Sequence, residues 1–163
     1  MTDRVSPEML RTVMRQWATG VALVTVGRQG YAHGMTVNSF VSISLEPPLI
    51  LVSMERSART HHIALEERRF AVVILSTDQR DLSEIFAGRT PDEGDRFKSM
   101  ETELTPSGIP VPRNTLAVLD CAIEETIEAG THTVFIARVE HAEVSGDSPP
   151  LLYFNPNYRK LAD

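Results

Sequence analysis

The 163-residue sequence predicts a mainly β fold, a closed antiparallel β-barrel carrying short helices. Three observations predict it. Six or more extended segments follow one another, several of them joined by short glycine-containing turns. One pair, Leu116 to Ile127 and Thr133 to Val139, turns at Ala129-Gly130, and its first member alternates polar and apolar residues, as a long antiparallel strand with one solvated face does. Helical periodicity is confined to short stretches that carry start signals. With no internal repeat and no low-complexity tract, residues 1–163 are expected to be one domain.

In chain order, Ser6-Pro7-Glu8 reads as a helix start, with Ser6 the cap and Pro7 at the first helical position. Met9, Leu10, Val13, Met14 and Trp17 then recur at helical spacing, a face for the core or for a dimer partner. Thr19-Gly20 stops the helix. Val21 to Val26 is a strand, Gly27-Arg28-Gln29-Gly30 a turn, and Tyr31 to Thr36 the returning strand. The stretch from Gly34 to Leu49 is the least ordinary in the chain. It places Thr36, Asn38, Ser39, Ser42 and Ser44 within nine residues and includes no Lys or Arg. From Ser39 onward Phe40, Val41, Ile43 and Leu45 stand against Ser42 and Ser44, an extended segment with one face on a core. Its other face offers hydroxyls and backbone N–H groups to something neutral and polar. Pro47-Pro48 ends it.

Leu49 to Met54 is a short apolar strand containing Ser53. Arg56-Ser57-Ala58-Arg59-Thr60 follows and immediately precedes a short helix over Ile63 to Glu67. Hydroxyls and guanidinium groups at a helix start suit an anion; taken alone they more often mark a capped helix with solvated arginines. Phe70 to Leu75 is another apolar strand. Ser76 or Thr77 caps a helix from Asp78 to Phe86 with Leu82, Ile85 and Phe86 on one face. Residues 87–95 read as an exposed loop and residues 101–114 as an irregular surface segment. In the long alternating strand Ala117, Leu119, Cys121, Ile123 and Ile127 face one way, and Asp120, Glu124 and Thr126 face solvent.

The net charge of −6 argues against non-specific nucleic-acid binding. There is no signal-peptide h-region and no apolar run near the length of a membrane span, so no membrane association is expected. A lone cysteine, Cys121, excludes an intramolecular disulfide and fits the cytoplasm. On the apolar face of its strand it reads as a buried, inert thiol. There is no G-x-G-x-x-G, no P-loop and no G-x-S-x-G. His61 and His62 are adjacent and diverge on a helix, so no metal is expected. No pair of acids is marked out for acid–base work.

Five stretches resemble, in order, the short-chain flavin reductases, the reductase components of two-component flavin monooxygenases. They are Thr19-Gly20-Val21 with Val24-Thr25; Gly34-Met35-Thr36-x-Asn38-Ser39-Phe40-x-Ser42-x-Ser44-Leu45-x-Pro47-Pro48-Leu49; the Arg-Ser-x-Arg-Thr run; Gln79-x-x-Leu82 with Phe86-Ala87-Gly88 and Asp95-Arg96-Phe97; and Leu151-Leu152-Tyr153-Phe154 with Tyr158-Arg159-Lys160-Leu161. The resemblance implies an FMN-binding split β-barrel, antiparallel and Greek-key-like, usually a homodimer. It implies an NAD(P)H:flavin oxidoreductase that reduces FMN, or FAD, with NADH or NADPH and supplies a separate monooxygenase. The alternative is a flavin-binding module without turnover, for storage or sensing.

Flavin chemistry asks little of side chains, because the ring carries the redox step and the protein binds and orients it. The resemblance points to Thr36, the Val37 backbone, Asn38 and Ser39 for the pyrimidine edge of the ring and to Ser53 for the ribityl chain. It points to Ser57, Arg59 and Thr60 for the phosphate, and to Phe86 and Arg96 for closing the pocket. Gly130-Thr131-His132 resembles the family's Gly-Asp-His, which is linked to nicotinamide cofactors. Thr131 replaces the Asp, and Ala137 stands where a Gly is common. His132 is therefore either a nicotinamide contact or an idle histidine at a strand start. Tyr158 is expected over the nicotinamide. No residue is assigned as an obligatory proton donor.

Overall fold

The computed structural model describes residues 5–88 and 95–162. Helix α1, Pro7–Met14, begins as the sequence dictates: the Met9 N–H donates to Ser6 Oγ at 3.1 Å, and Pro7 occupies the first turn, where no N–H is needed. It ends three residues before Trp17, and none of it is buried. Trp17 itself is 68% exposed. The apolar face read from the sequence therefore does not lie on this chain's core.

Among the described residues twelve strands follow the helix. They are β1 Thr19–Gly20, β2 Ala22–Arg28, β3 Tyr31–Val37, β4 Val41–Leu45, β5 Pro48–Glu55, β6 Arg69–Ile74, β7 Thr102–Leu104, β8 Pro110–Pro112, β9 Ala117–Ala129, β10 His132–Val144, β11 Leu152–Phe154 and β12 Asn157–Arg159. Helix α2, Arg59–Glu67, joins β5 to β6, and α3, Arg80–Phe86, follows β6. Seven strands form one antiparallel sheet in the order β3-β2-β6-β9-β10-β5-β4. Hairpins join β2 to β3, β4 to β5 and β9 to β10, while α2 carries the chain across two intervening strands, a Greek-key connection. The sheet curls until its ends share one core. Val37 of β3 and Val52 of β5 stand near opposite ends of the strand order, yet both belong to the same buried cluster as Val24, Phe70, Cys121 and Phe135. No ladder joins β3 to β4 or β5, and the barrel is split there. Ile63 of α2 is packed into the same core.

The adjacent interior strands β2 and β6 are buried on both faces, which explains why they read as continuous apolar runs. Their second face meets Phe86, Phe97, Ile109, Val111 and Leu151. Two expectations change here. Residues 101–114 are not merely a surface wrap: β7 and β8 pair, and Pro110-Val111-Pro112 is buried. Two prolines are tolerated because β8 pairs on one side only. Asp120, expected in solvent, is 1% exposed. That covering segment supplies its partners, the Ser107 N–H at 2.8 Å and Ser107 Oγ at 2.7 Å, and Arg69 lies 3.6 Å away. Its neighbour Cys121 is fully buried, and burial, reinforced by Asp120, pushes its thiol up to about 12.

Helix α2 starts four residues earlier than Ile63 and ends at Arg68 in the left-handed region. A 3-10 turn, Thr77–Gln79, precedes α3, and the Ser76 N–H donates to Gln79 Oε1 at 3.0 Å. Two small C-terminal strands join β1 in a three-stranded sheet, in the order β1-β11-β12. Most of the expected 87–95 loop lies outside the described residues, as do residues 1–4. No described helix is long and apolar enough to cross a membrane.

Candidate functional site

The hydroxyl-rich stretch runs from β3 into β4, along the split. Thr36 faces away from the barrel core, and its hydroxyl donates to the Ser83 carbonyl of α3 at 2.6 Å. Val37 turns its side chain into the core, so only its backbone can offer a polar contact. Asn38 is exposed. Thr36, Val37 and Asn38 line a cavity of about 170 Å³ with Val21, Tyr153 and Tyr158. A second hollow of about 380 Å³ adjoins it through Val21, Val37 and Asn38 and continues to Trp17, Phe40 and Val41. No charged side chain lines either of them. Such a groove suits a neutral polar ring and penalises a charged one.

Ser39, in the link from β3 to β4, bonds to β5 beside the split. Its hydroxyl donates to the Ser53 carbonyl at 2.7 Å and accepts the Ser53 N–H at 3.2 Å. Ser53 itself lies between the buried Val52 and Met54, so its side chain stands on the outer face of β5.

The Arg-Ser-x-Arg-Thr run straddles the start of α2. The capping position is Ala58, which makes no side-chain bond to the helix. The first-turn N–H groups therefore carry a partial positive charge with no hydroxyl or carboxylate cap over them. Arg59 lies with its guanidinium 5.6 Å from the Tyr31 ring centroid. Ser57 is exposed and Thr60 fully buried, its hydroxyl 2.8 Å from His33 Nδ1. A guanidinium beside an uncapped helix start suits an anion.

His132 begins β10 opposite Glu55 and Ala129, exposed, its Nδ1 3.0 Å from Thr131 Oγ1. The Arg56 N–H donates to the Thr131 carbonyl at 3.0 Å, which ties this hairpin tip to the start of α2. Between them opens a hollow of about 760 Å³ lined by Arg56, Ser57, His61, His62 and Thr131. His61 is 4% exposed, its Nε2 2.9 Å from Thr133 Oγ1 and its Nδ1 without a partner. Burial, with His62 and Arg56 adding like charge, lowers its pKa.

Thr36, Val37, Asn38 and Tyr158 thus meet at the groove, and Ser57, Arg59 and Thr60 at the helix start, with Ser39 and Ser53 at the split. His132 stands at the helix-start end and Tyr158 at the groove. Phe86 lies in the second core, 5.2 Å from the Phe97 ring. Arg96 opens a 3-10 turn, Arg96–Ser99, beside Phe97. Among the described residues no cluster of His, Cys, Asp and Glu could hold a metal.

Sequence reasoning missed Ser83, Tyr153 and His33. Ser83 had a usable signal: it is a hydroxyl three residues before Phe86, on the apolar side of a short helix.

Residues 14–162 match the family described as "Flavin reductase like domain". The chain is 40% identical over 148 residues to a protein named probable flavin reductase from Rhizobium meliloti (strain 1021), covering 90% of this chain and 47% of that relative's length. It is 36% identical over 150 residues to the reductase component of an FADH(2)-dependent resorcinol hydroxylase from Rhizobium sp. (strain MTP-10005), covering 91% of this chain and 83% of the relative. The solved NADH:FAD oxidoreductase SgcE6 of Streptomyces globisporus C-1027 superposes with a TM-score of 0.90 at 34% identity, covering 100% of this chain and 99% of that one.

Proposed function

Since this chain belongs to the family of flavin reductase like domains, we infer that it is an oxidoreductase that reduces a flavin with NADH and supplies the reduced flavin to a separate monooxygenase. One observation carries the reading. An uncharged groove at Thr36, Val37 and Asn38 lies where β3 ends, and an uncapped helix start bearing Arg59 lies by Tyr31, where β3 begins. A flavin phosphate needs both halves, a neutral polar ring site and a cationic phosphate site. A bound flavin would supply the hydride acceptor and two-electron carrier at this site.

This chain's residues bind and orient. Asn38 and the backbone around Val37 face the pyrimidine edge of the ring. Ser39 fixes that backbone against β5, and Ser53 faces the ribityl chain. Ser57, Arg59 and the first-turn N–H groups, with Thr60 pinned inward by His33, hold the phosphate. Tyr158 and His132 contact the nicotinamide cofactor, Tyr158 beside the groove and His132 at the far end. Phe86 shapes the pocket from behind Gly34, and Arg96 stands near it. Both FMN and FAD carry the phosphate that this site reads. FAD is supported by the names of two relatives.

The protein acts as a cytoplasmic homodimer. The exposed apolar face of α1 and the exposed Val41, Ile43 and Leu45 of β4 support this. The lone buried thiol fits a reducing compartment.

Anaerobic oxidation of NADH by FMN or FAD tests the activity. Catalytic loss of NADH absorbance with either flavin is expected, and none with both overturns it. Sedimentation tests the dimer. Leu10→Asp should shift the wild-type dimer toward monomer, and a monomeric wild type at micromolar concentration refutes it.

A further inference from the structure

We propose that Ser83 is a positioning residue for the nicotinamide cofactor, holding Tyr158 against the groove from one side while it anchors Thr36 from the other; this rests on the reading of Tyr158 given above. Ser83 is fully buried in α3 and uses two of its groups on two other elements. Its hydroxyl lies 2.8 Å from Tyr158 Oη of β12. Its carbonyl accepts the Thr36 hydroxyl of β3.

The position in the helix makes this arrangement available. Helix α3 ends at Phe86, and the Ala87 N–H turns back to the Glu84 carbonyl at 3.3 Å. The Ser83 carbonyl belongs to the last turn, where backbone acceptors lose their helical donors, and the Thr36 hydroxyl fills that place. The strand that carries Tyr158 has little else to fix it. β12 is three residues long and pairs with β11 alone, at the edge of a small sheet. The Ser83 bond, the Arg80 guanidinium 5.2 Å from the Tyr158 ring centroid and the edge contact with Tyr153 at 5.6 Å dock that ring on the groove. Without the hydroxyl of Ser83 the ring keeps its neighbours and loses this hydrogen bond to α3. Thr36 is unaffected, because its acceptor is backbone.

This separation makes a test selective. Ser83→Ala and Tyr158→Phe each delete the same bond from opposite ends, and Phe retains the ring. At saturating flavin, each should raise KM for NADH by about three- to tenfold, the range of one neutral hydrogen bond. The flavin Kd, from fluorescence titration, should stay within about twofold. The double variant should match either single one, since both remove one interaction. If Ser83→Ala raises the flavin Kd and the NADH KM together, Ser83 is a general packing residue and the proposal is overturned. Unchanged constants in folded Ser83→Ala overturn it as well. Should Ser83→Ala not fold, an unchanged KM in Tyr158→Phe does the same. Tyr158→Ala separates the two layers. If it raises the NADH KM while Tyr158→Phe and Ser83→Ala do not, positioning by Ser83 fails and Tyr158 stays at the nicotinamide. If Tyr158→Ala leaves the NADH KM unchanged, the placement of Tyr158 itself fails, and the proposal with it.

Discussion

Replacing Gly34 by Ala tests why the signature stretch opens on a glycine. Backbone freedom is not the reason, since Gly34 is absent from the positive-φ glycines of this chain. Space is. A Cβ at this position would lie 3.0 Å from both Cδ1 and Cε1 of Phe86 and 3.2 Å from the Val24 carbonyl oxygen. The Val24 oxygen belongs to β2, paired on both sides by β3 and β6, and cannot retreat. Phe86 is 3% exposed and packed against Phe97, so its ring cannot swing into solvent. Overpacking of this kind costs about 1–3 kcal/mol. For a chain of this length that lowers Tm by roughly 3–9 °C. Because Ser83 lies three residues before Phe86 on α3, a displaced ring also moves the anchor of Thr36, and flavin affinity should fall with Tm. Calorimetry and a flavin titration measure both. Phe86→Leu in the Gly34→Ala background should recover part of the loss, a coupling visible in a double-mutant cycle. An unchanged Tm in Gly34→Ala, or strictly additive effects of the two substitutions, refutes the close-approach reasoning.

Arg59→Ala should weaken FMN binding by about 1.5–3 kcal/mol through loss of a charge-assisted phosphate contact. Riboflavin, which lacks the phosphate, should bind wild type and variant alike, and equal FMN affinities would remove Arg59 from the site. His132→Ala should raise KM for NADH a few-fold to about tenfold and leave flavin affinity alone; movement of the flavin constant instead would assign His132 to the flavin. His61 supplies a pH test. Its folded pKa is depressed below 6.5, so as pH falls below that value the unfolded chain takes up a proton that the fold resists, and stability is lost. The group contributes at most one proton, about 1.4 kcal/mol per pH unit. Urea unfolding of His61→Gln, which keeps a partner for Thr133, should show a shallower decline below pH 6.5 than wild type. Identical slopes would mean that His61 titrates normally in the fold.

Much of this protein was determined by sequence that can be read locally. Strand positions followed from alternation and apolar runs, because a period of two survives in any sheet. Cys121 fell on an inward face and is buried there. The Ser6-Pro7-Glu8 start formed a capped helix because capping involves only neighbours in the chain. Thr36, Asn38, Ser39 and the Arg-Ser-x-Arg-Thr run stood out because their composition departs from that of an ordinary strand or loop. Tertiary structure decided the rest, for a common reason: the deciding contact is distant in the chain. Asp120 has the alternation of a solvated residue, yet Ser107, thirteen residues away, covers and satisfies it. The spacing of Phe86 marks only an apolar helix face, and the resemblance only a pocket wall; that its ring fills the space over Gly34 is decided by the fold. The face of α1 has the period of a buried helix, but this chain alone brings no surface to cover it. Ser83 and Tyr158 lie 75 residues apart, on a short helix and an edge strand, and neither local pattern refers to the other. Periodicity states which way a side chain points. Only the closed barrel, with its split and its outer layer, decides what that side chain meets.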